Sequence, residues 1–280
     1  MKPEIQSSLN KGKAFRKRLL QVVQRALSSS QDAAYPHTYI YSPPGLGKTH
    51  SVNNYLKKNN SLHFELSGAV SMFAFGVALA TIRYNYPIEK IIISVDDCDG
   101  IFESEENLNI MKNVLSGYRK FSYQKSIQGL LGNLTNMQEA AINHFSNDNQ
   151  LGFQVPCENF IFIFTSNFKL PTDDEVIVAR EKGGNKNTRK VHLNAIRSRC
   201  KTMDFDLDQE THFGWLADVL INENLQPELS QNQKSEILDW IFENWNQMTE
   251  RSIRTLEKMA QSIVDEPEDY LTIWDIDYLK

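Results

Sequence analysis

The fold of this 280-residue chain is decided by one stretch, Ser42-Pro43-Pro44-Gly45-Leu46-Gly47-Lys48-Thr49. It follows Tyr35 to Tyr41, which predicts a short strand, and it precedes a helical pattern that carries Val52, Tyr55 and Leu56. Glycines allow successive backbone N–H groups to turn inward around an anion, and a lysine there reaches the outer oxygens of a phosphate chain. The order strand, glycine loop, helix therefore predicts a phosphate-binding loop at the N-terminus of a helix.

The residues expected to surround the phosphates are consecutive: Pro44, Gly45, Leu46, Gly47, Lys48, Thr49 and His50. The hydroxyl of Thr49 is also expected to bind Mg²⁺. The strict pattern has glycine where this chain has Ser42, and a small residue can replace glycine at the start of the loop. The departure leaves the prediction of a nucleotide site unchanged.

A second motif supplies the carboxylates that such a site needs. Ile91 to Val95 is apolar and β-branched, as in strands buried on both faces of a parallel sheet, and Asp96 and Asp97 follow it. Asp96 is expected to hold Mg²⁺, and Asp97 is expected to act as general base on the attacking water.

Strand and helix patterns alternate along most of the chain, and this predicts an α/β fold with a parallel sheet flanked by helices. Phe160 to Thr165 is another buried-strand pattern, and the chain is mostly helical after about Asp208. We therefore expect an N-terminal helix and linker at 1–34, an α/β domain at 35–208, and a small all-α domain at 209–280.

Composition excludes several classes of protein. The net charge of −5 argues against a generally basic nucleic-acid binder, and three scattered cysteines form neither a disulfide framework nor a zinc motif. The N-terminus lacks a signal-peptide pattern, so a cytoplasmic location is expected. The uncharged stretch from Leu66 to Ile82 is short for a membrane span, and we expect a buried or pore-facing segment and no membrane partner.

Taken together, these motifs resemble those of the AAA+ ATPases over nearly the whole chain. The resemblance implies that Asn167, after Phe162 to Ser166, senses the γ-phosphate from the strand between the two nucleotide-binding strands. The element around Arg197 and Arg199 is similar to the Ser-Arg-Cys element of clamp-loader subunits, and it implies that Arg199, with Arg197 as second choice, reaches the ATP of a neighbouring subunit. Arg254 would be a second sensor on a helix of the small all-α lid domain.

The same resemblance implies ATP and Mg²⁺ as cofactors. It also implies a homo-oligomeric ring or spiral, pentameric or hexameric, that hydrolyses ATP at its subunit interfaces to remodel a macromolecule. Most members of that family carry Glu where this chain has Asp97, so water is approached differently or hydrolysis is slow. Because Ser42 and Asp97 both depart from the consensus, an assembly switch with little turnover is an alternative. The compact chain resembles single-module ATPases of phages or other mobile elements, for which the location would be the host cytoplasm.

Two substrate classes remain open from the sequence, protein and DNA. Phe73 and Phe75, next to Gly76, resemble a pore loop that grips a threaded protein, or they begin a buried helix. The stretch from Tyr118 to Lys125 mixes aromatic and basic residues that can stack on bases, as a clamp or helicase loader would, or it is an exposed helix face. A basic, glycine-containing stretch at 180–190 is expected to be a mobile loop.

Overall fold

The computed structural model describes residues 2–29, 33, 35–146, 151–181, 186–223 and 225–280. The chain forms two compact units, which we call the helical unit (Met1–Gln21, Pro43–Ser51 and Phe205–Lys280) and the sheet unit (Val22–Ser42 and Val52–Asp204). The consecutive domain bounds expected above stay a prediction. Within the described ranges, no helix is both long and apolar enough to cross a bilayer.

The strands, in chain order, are β1 (His37–Tyr41), β2 (His63–Ser67), β3 (Ile91–Asp96), β4 (Lys120–Tyr123), β5 (Phe153–Pro156), β6 (Phe160–Ser166) and β7 (Cys200–Asp204). The helices are α1 (Pro3–Leu27), α2 (Lys48–Lys58), α3 (Met72–Asn85), α4 (Glu105–Val114), α5 (Gln128–Leu131), α6 (Asn136–Phe145), α7 (Asp173–Glu181), α8 (Lys186–Arg197), α9 (Gln209–Asn222), α10 (Gln231–Asn244), α11 (Ile253–Asp265) and α12 (Tyr270–Tyr278). A short 3₁₀ helix covers Asp99–Phe102.

The sheet unit contains a parallel five-stranded sheet in the order β2-β3-β6-β1-β7, flanked by helices. This confirms the predicted α/β class. It also confirms the strand expected before the glycine loop, which is β1, and the apolar strand expected before the two aspartates, which is β3. β6 pairs with β3 on one side and with β1 on the other, the middle position that the resemblance implied for its strand. The carboxyl ends of β1, β3 and β6 therefore meet at one edge of the sheet.

A two-stranded antiparallel sheet, β4 with β5, packs beside α3 in the sheet unit. Phe75 on α3 is fully buried, with its ring 6.1 Å from that of Phe121 on β4 and 6.2 Å from that of Phe162 on β6. A Cβ on Gly76 would lie 2.3 Å from the ring of Phe121, so the small sheet fits only against glycine. Of the two alternatives for Phe75, the structure shows the buried helix start, which begins at the N-cap Ser71.

The stretch from Tyr118 to Lys125 is a turn and a strand, so the expected exposed helix face is wrong. Phe121 on β4 is fully buried between a more exposed residue on each side. Tyr118, in the turn before β4, is 85% exposed. Arg119 is buried and donates to the backbone carbonyls of Glu158 and Ala33. Arg119 and Phe121 face the interior, whereas Tyr118, Lys120 and Lys125 are exposed, so part of the aromatic and basic surface expected for nucleic acid is present.

The stretch expected to be a mobile loop at 180–190 is largely helical. α7 ends at Glu181 and α8 begins at Lys186, and residues 182–185 lie outside the described residues. The N-terminal helix expected within 1–34 begins at Pro3 and ends at Leu27. Proline fits the first helical position, and the buried Ile5 and Leu9 continue the apolar stripe towards the N-terminus.

The helical unit packs α9, α10, α11 and α12 around a shared apolar core. Trp215, Leu256, Met259 and Trp274 are almost fully buried there. Side chains cap three of the helices: Asp208 for α9, Ser230 for α10 and Ser252 for α11. These caps satisfy backbone N–H groups that have no partner within their own helix and so fix where each helix begins.

Candidate functional site

The glycine loop lies in the helical unit, and two glycines determine its shape. Gly45 and Gly47 have φ angles of 80° and 69°, in the left-handed region that favours glycine. A Cβ on Gly47 would lie 2.1 Å from Cδ1 of Ile253, and a Cβ on Gly45 would lie 2.7 Å from Cβ of Ser252. Both positions therefore require glycine for two reasons: the backbone conformation, and the close packing against the start of α11.

Two carbonyl oxygens of the loop accept hydrogen bonds from helices of the same unit. The amide of Ile253 donates to the oxygen of Gly45 at 2.8 Å, and Nε1 of Trp215 donates to the oxygen of Leu46 at 2.7 Å. The peptide bonds are trans, so the N–H of each peptide points away from its own carbonyl. The amides of Leu46 and Gly47 consequently point away from the helices, as donors to an anion must.

Helix α2 begins immediately after the loop, and its first residues are Lys48 and Thr49. The positive end of this helix dipole favours an anion beside the loop. Nε2 of His50 lies 3.4 Å from Oε2 of Glu223, and Oγ of Ser51 donates to the same side chain at 3.2 Å. Glu223 at the end of α9 thus holds the start of α2, and the sequence pattern gave no indication of this residue.

The two predicted carboxylates, in the sheet unit, are each held by a residue from the end of β6. Oγ1 of Thr165 donates to Oδ1 of Asp96 at 2.6 Å, and Nδ2 of Asn167 donates to Oδ1 of Asp97 at 3.0 Å. The amide of Asp97 also donates to the oxygen of Thr165 at 3.0 Å. The structure therefore brings together three residues predicted from separate motifs and adds Thr165 to them.

A third carboxylate at the same edge has its own partner. Oγ of Ser166 donates to Oδ1 of Asp99 at 2.5 Å and accepts from the amide of Phe168 at 2.9 Å. Thr165 and Ser166 were not predicted as site residues. The signal was available in part, because both residues precede Asn167 on a strand whose end should lie beside Asp96 in a parallel sheet.

The edge carries a strongly negative potential. Burial, followed by the charges of Asp96, Asp99 and Asp97, raises the pKa of the Cys98 thiol to about 11. The thiol is therefore protonated at neutral pH and is not a nucleophile. Among residues with a described position, no group of three or more His, Cys, Asp or Glu side chains forms a metal cage. Mg²⁺ typically uses one or two carboxylates together with substrate phosphates, so the donor set fits Mg²⁺ better than Zn²⁺.

The two candidate finger arginines differ in their internal contacts. Arg197, the last residue of α8, donates to the oxygen of Leu170 at 3.1 Å and lies 3.8 Å from Oδ2 of Asp204. Arg199 donates to the oxygen of Ala195 at 2.6 Å, and its Nε is buried without a partner. Arg199 forms no ion pair with a carboxylate of the described chain. Arg199 is thus the better placed of the two to meet an external anion.

Arg254 lies in the first turn of α11, in the helical unit, and is exposed. Its neighbours Ile253 and Leu256 are buried, as expected for a helix that packs into the core of this unit. The amide of Ile253 donates to the oxygen of Gly45, and Arg254 is the next residue in the chain. The backbone of the predicted second sensor is therefore one residue away from a direct contact with the glycine loop.

The comparisons with known proteins add no identification. No protein-family model matches this chain, and no curated protein matches it. The function is therefore argued from the residues and their geometry.

Proposed function

We propose that this chain is an AAA+ ATPase that hydrolyses ATP at the subunit interfaces of a homo-oligomeric ring or spiral. The observation that carries the proposal is the position of β6 between β1 and β3. In this position Thr165 donates a hydrogen bond to Asp96, and Asn167 donates one to Asp97. β1 leaves the same edge through Ser42, whose amide donates to the oxygen of Ser166 at 3.2 Å, and the chain then enters the glycine loop. Ligands of open parallel sheets bind at the carboxyl ends of the strands.

The two motifs carry oxygen donors of the kind that Mg²⁺ prefers. In the sheet unit Thr165 orients one oxygen of Asp96, and in the helical unit Thr49 carries a hydroxyl in the first turn of α2. When bound, Mg²⁺ would supply positive charge that stabilises the charge developing during phosphoryl transfer. Asp96 and Thr49 are the proposed ligands, and Lys48 and the loop amides bind the phosphate oxygens.

The reacting water is oriented by Asp97 in this proposal. The amide of Asn167 donates to one oxygen of this carboxylate at 3.0 Å and so orients it, and the carboxylate would accept a proton from water. Arg254 supplies positive charge from the same subunit, and Arg199 supplies it from the neighbouring subunit. A guanidinium suits both roles because it stays protonated and offers several N–H donors. Helices α9 to α12 serve as the lid that carries Arg254.

A second candidate is an ATP-dependent assembly switch with little turnover. The observation that favours it is the short side chain of Asp97 in the bond with Asn167, which ties the carboxylate to the sheet. A base held in this way reaches water less easily than the longer Glu of most relatives. The two candidates differ in rate and share the same site.

Steady-state ATP turnover per subunit, measured against protein concentration, tests the proposal. A site completed by a neighbour gives turnover that rises with concentration to a plateau. Lys48→Ala should abolish nucleotide binding. Arg199→Ala should leave nucleotide binding unchanged and lower the plateau of turnover by about 10³-fold. Arg18→Ala, an exposed arginine of α1, is the matched control. Turnover of the wild type that does not depend on concentration contradicts the oligomeric site, and nucleotide-dependent assembly without turnover selects the switch.

The substrate class follows from a paired stimulation assay. Burial of Phe75 removes one of the two candidate pore aromatics, and burial of Arg119 and Phe121 removes two residues of the candidate base-stacking stretch, in which Tyr118, Lys120 and Lys125 stay exposed. Turnover is therefore compared with single-stranded DNA, with primed DNA and with an unfolded protein. Stimulation by DNA selects clamp-loader or helicase-loader work, and stimulation by the unfolded protein selects protein remodelling.

A further inference from the structure

A cluster of three basic side chains lies on the sheet unit, and we call it the cation cluster: Lys112, His192 and Arg199. Nζ of Lys112 on α4 lies 2.7 Å from Nδ1 of His192 on α8. Arg199 lies two residues after the end of α8, close enough for its charge to act on Lys112. All three side chains are half-buried.

The cluster has no internal counter-ion. Burial lowers the pKa of Lys112, and the charge of Arg199 lowers it further, with no acidic group acting in the opposite direction. Nε of Arg199 is buried without a hydrogen-bond partner. In the part of the chain that the structure describes, neither Lys112 nor Arg199 forms an ion pair with a carboxylate. Holding Lys112 and Arg199 near each other, half-buried and without an anion, lowers the free energy of unfolding. Ionisable groups in unfavourable surroundings of this kind are common at functional sites.

The hydrogen bond between Lys112 and His192 also fixes the imidazole. An ammonium group only donates, so Nδ1 of His192 accepts and Nε2 carries the ring proton. The cluster therefore offers three kinds of donor: an ammonium, an imidazole N–H and a guanidinium. A terminal phosphate has three acceptor oxygens and more than one negative charge, whereas a carboxylate has two oxygens and a single charge. The donor set is matched to a phosphate.

We propose that Lys112 and His192 act with Arg199 as one site, which binds the terminal phosphate oxygens of the nucleotide held by a neighbouring copy of this chain. This inference rests on the proposed function, and it assigns two residues beyond the arginine. Lys112 contributes charge to the phosphate directly. His192 donates through Nε2, with its ring oriented by Lys112.

The test is a complementation experiment with two inactive variants. Lys112→Met keeps the glycine loop and removes one cation of the cluster, and Lys48→Ala keeps the cluster and removes the loop lysine. Each variant alone should lose at least about tenfold in turnover. In an equal mixture about a quarter of the head-to-tail interfaces pair an intact loop with an intact cluster, so turnover reappears. His192→Ala should be rescued by Lys48→Ala in the same way.

Controls separate this inference from misfolding and from failure of the proposed function. Lys112→Arg keeps the charge and should retain most turnover. Lys190→Met removes an exposed lysine from α8, the helix that carries His192, and should have no effect. If the wild type does not hydrolyse ATP, the proposed function fails. If the wild type is active and Lys112→Met equals it, the inference is overturned. It is equally overturned if Lys112→Met is inactive and Lys48→Ala does not restore turnover, because the cluster then acts within its own subunit or only in folding.

Discussion

Thr165 controls the orientation of Asp96 through a single hydroxyl. Thr165→Val keeps the shape of the side chain and removes the donor 2.6 Å from Oδ1 of Asp96. Residues that orient a metal ligand typically contribute about 10- to 100-fold to metal affinity or activity. We therefore expect the Mg²⁺ concentration for half-maximal turnover to rise by at least about tenfold, as measured by a magnesium titration of ATPase activity.

Thr38 offers a matched control for that change. It lies on β1, next to β6, and is fully buried, and its Oγ1 has no hydrogen-bond partner. Thr38→Val should leave the magnesium titration unchanged and keep or raise stability, because a buried hydroxyl without a partner is itself unfavourable. Equal magnesium titrations for the two variants would remove Thr165 from the site.

The sequence predicted those site residues that belong to one continuous motif. Asp96 and Asp97 follow an apolar run, and Lys48 follows two glycines, so their chemistry is visible from neighbours along the chain. Thr165 and Lys112 act through partners 69 and 80 residues away, which only strand register and helix packing bring near. Side-chain pairing of this kind leaves no local pattern.

His37 makes the protein sensitive to acid. It is fully buried, and its Nδ1 accepts from the amide of Phe162 at 3.2 Å. Burial, together with the charge of Arg119, lowers the pKa of His37 to about 3. Between pH 3 and 6.5 the unfolded chain binds a proton there that the folded chain does not, so the free energy of unfolding falls as the pH falls through this window.

His37→Gln should weaken that dependence. Urea unfolding followed by circular dichroism at pH 6.5 and pH 5 should show the wild type losing about 2 kcal/mol more than the variant over this interval. His144→Gln, at an exposed position on α6, is the control and should lose as much as the wild type. An equal loss in the wild type and His37→Gln would contradict the assignment.

At the scale of elements, α1 and α9 cross with backbone against backbone. A Cβ on Gly214 of α9 would lie 1.8 Å from the carbonyl oxygen of Ser8, and a Cβ on Gly12 would lie 2.0 Å from that of Gly214. Gly214→Ala therefore forces the two helices apart. The free energy of unfolding should fall by about 1–3 kcal/mol or more, as overpacking typically costs, when measured by urea denaturation.

The control for this prediction is Gly132→Ala. Gly132 follows α5 with a negative φ, and a Cβ there would meet no atom within 4 Å. The added methyl group should leave stability nearly unchanged or raise it slightly. A similar loss in both variants would mean that the crossing of α1 and α9 tolerates a wider separation.

Long apolar runs made the central strands predictable, and the other elements depended on distant contacts. β3 and β6 are buried on both faces, so composition alone identifies them. The two-stranded sheet of β4 and β5 has only four residues in each strand, and it packs its aromatic side chains against α3, where Gly76 leaves room for them. A pattern of four residues is too short to distinguish a strand from an exposed helix face.

At the scale of the whole molecule, the aromatic composition divides unevenly. All four tryptophans, Trp215, Trp240, Trp245 and Trp274, lie after residue 205, in the helical unit that also contains the glycine loop. Tryptophan fluorescence therefore reports the unfolding of this unit. A magnesium-bound non-hydrolysable ATP analogue at about 100 times its Kd should stabilise it by roughly 3 kcal/mol, which raises its Tm by several degrees.

Two controls define this effect. Lys48→Ala should abolish the shift, and chelation of Mg²⁺ should reduce it in the wild type. Because Nε1 of Trp215 donates to the oxygen of Leu46, the emission itself should change when the loop binds an anion. An analogue that binds and leaves both the emission and the Tm unchanged would place the nucleotide elsewhere.

The backbone at Asp97 has a consequence for how this sequence can evolve. Its φ of 48° lies in the left-handed region, where aspartate, asparagine and glycine are tolerated and longer side chains are rare. Replacement of Asp97 by glutamate therefore puts a longer side chain into a backbone conformation that it adopts less readily. The backbone at this position favours the shorter carboxylate independently of its chemistry.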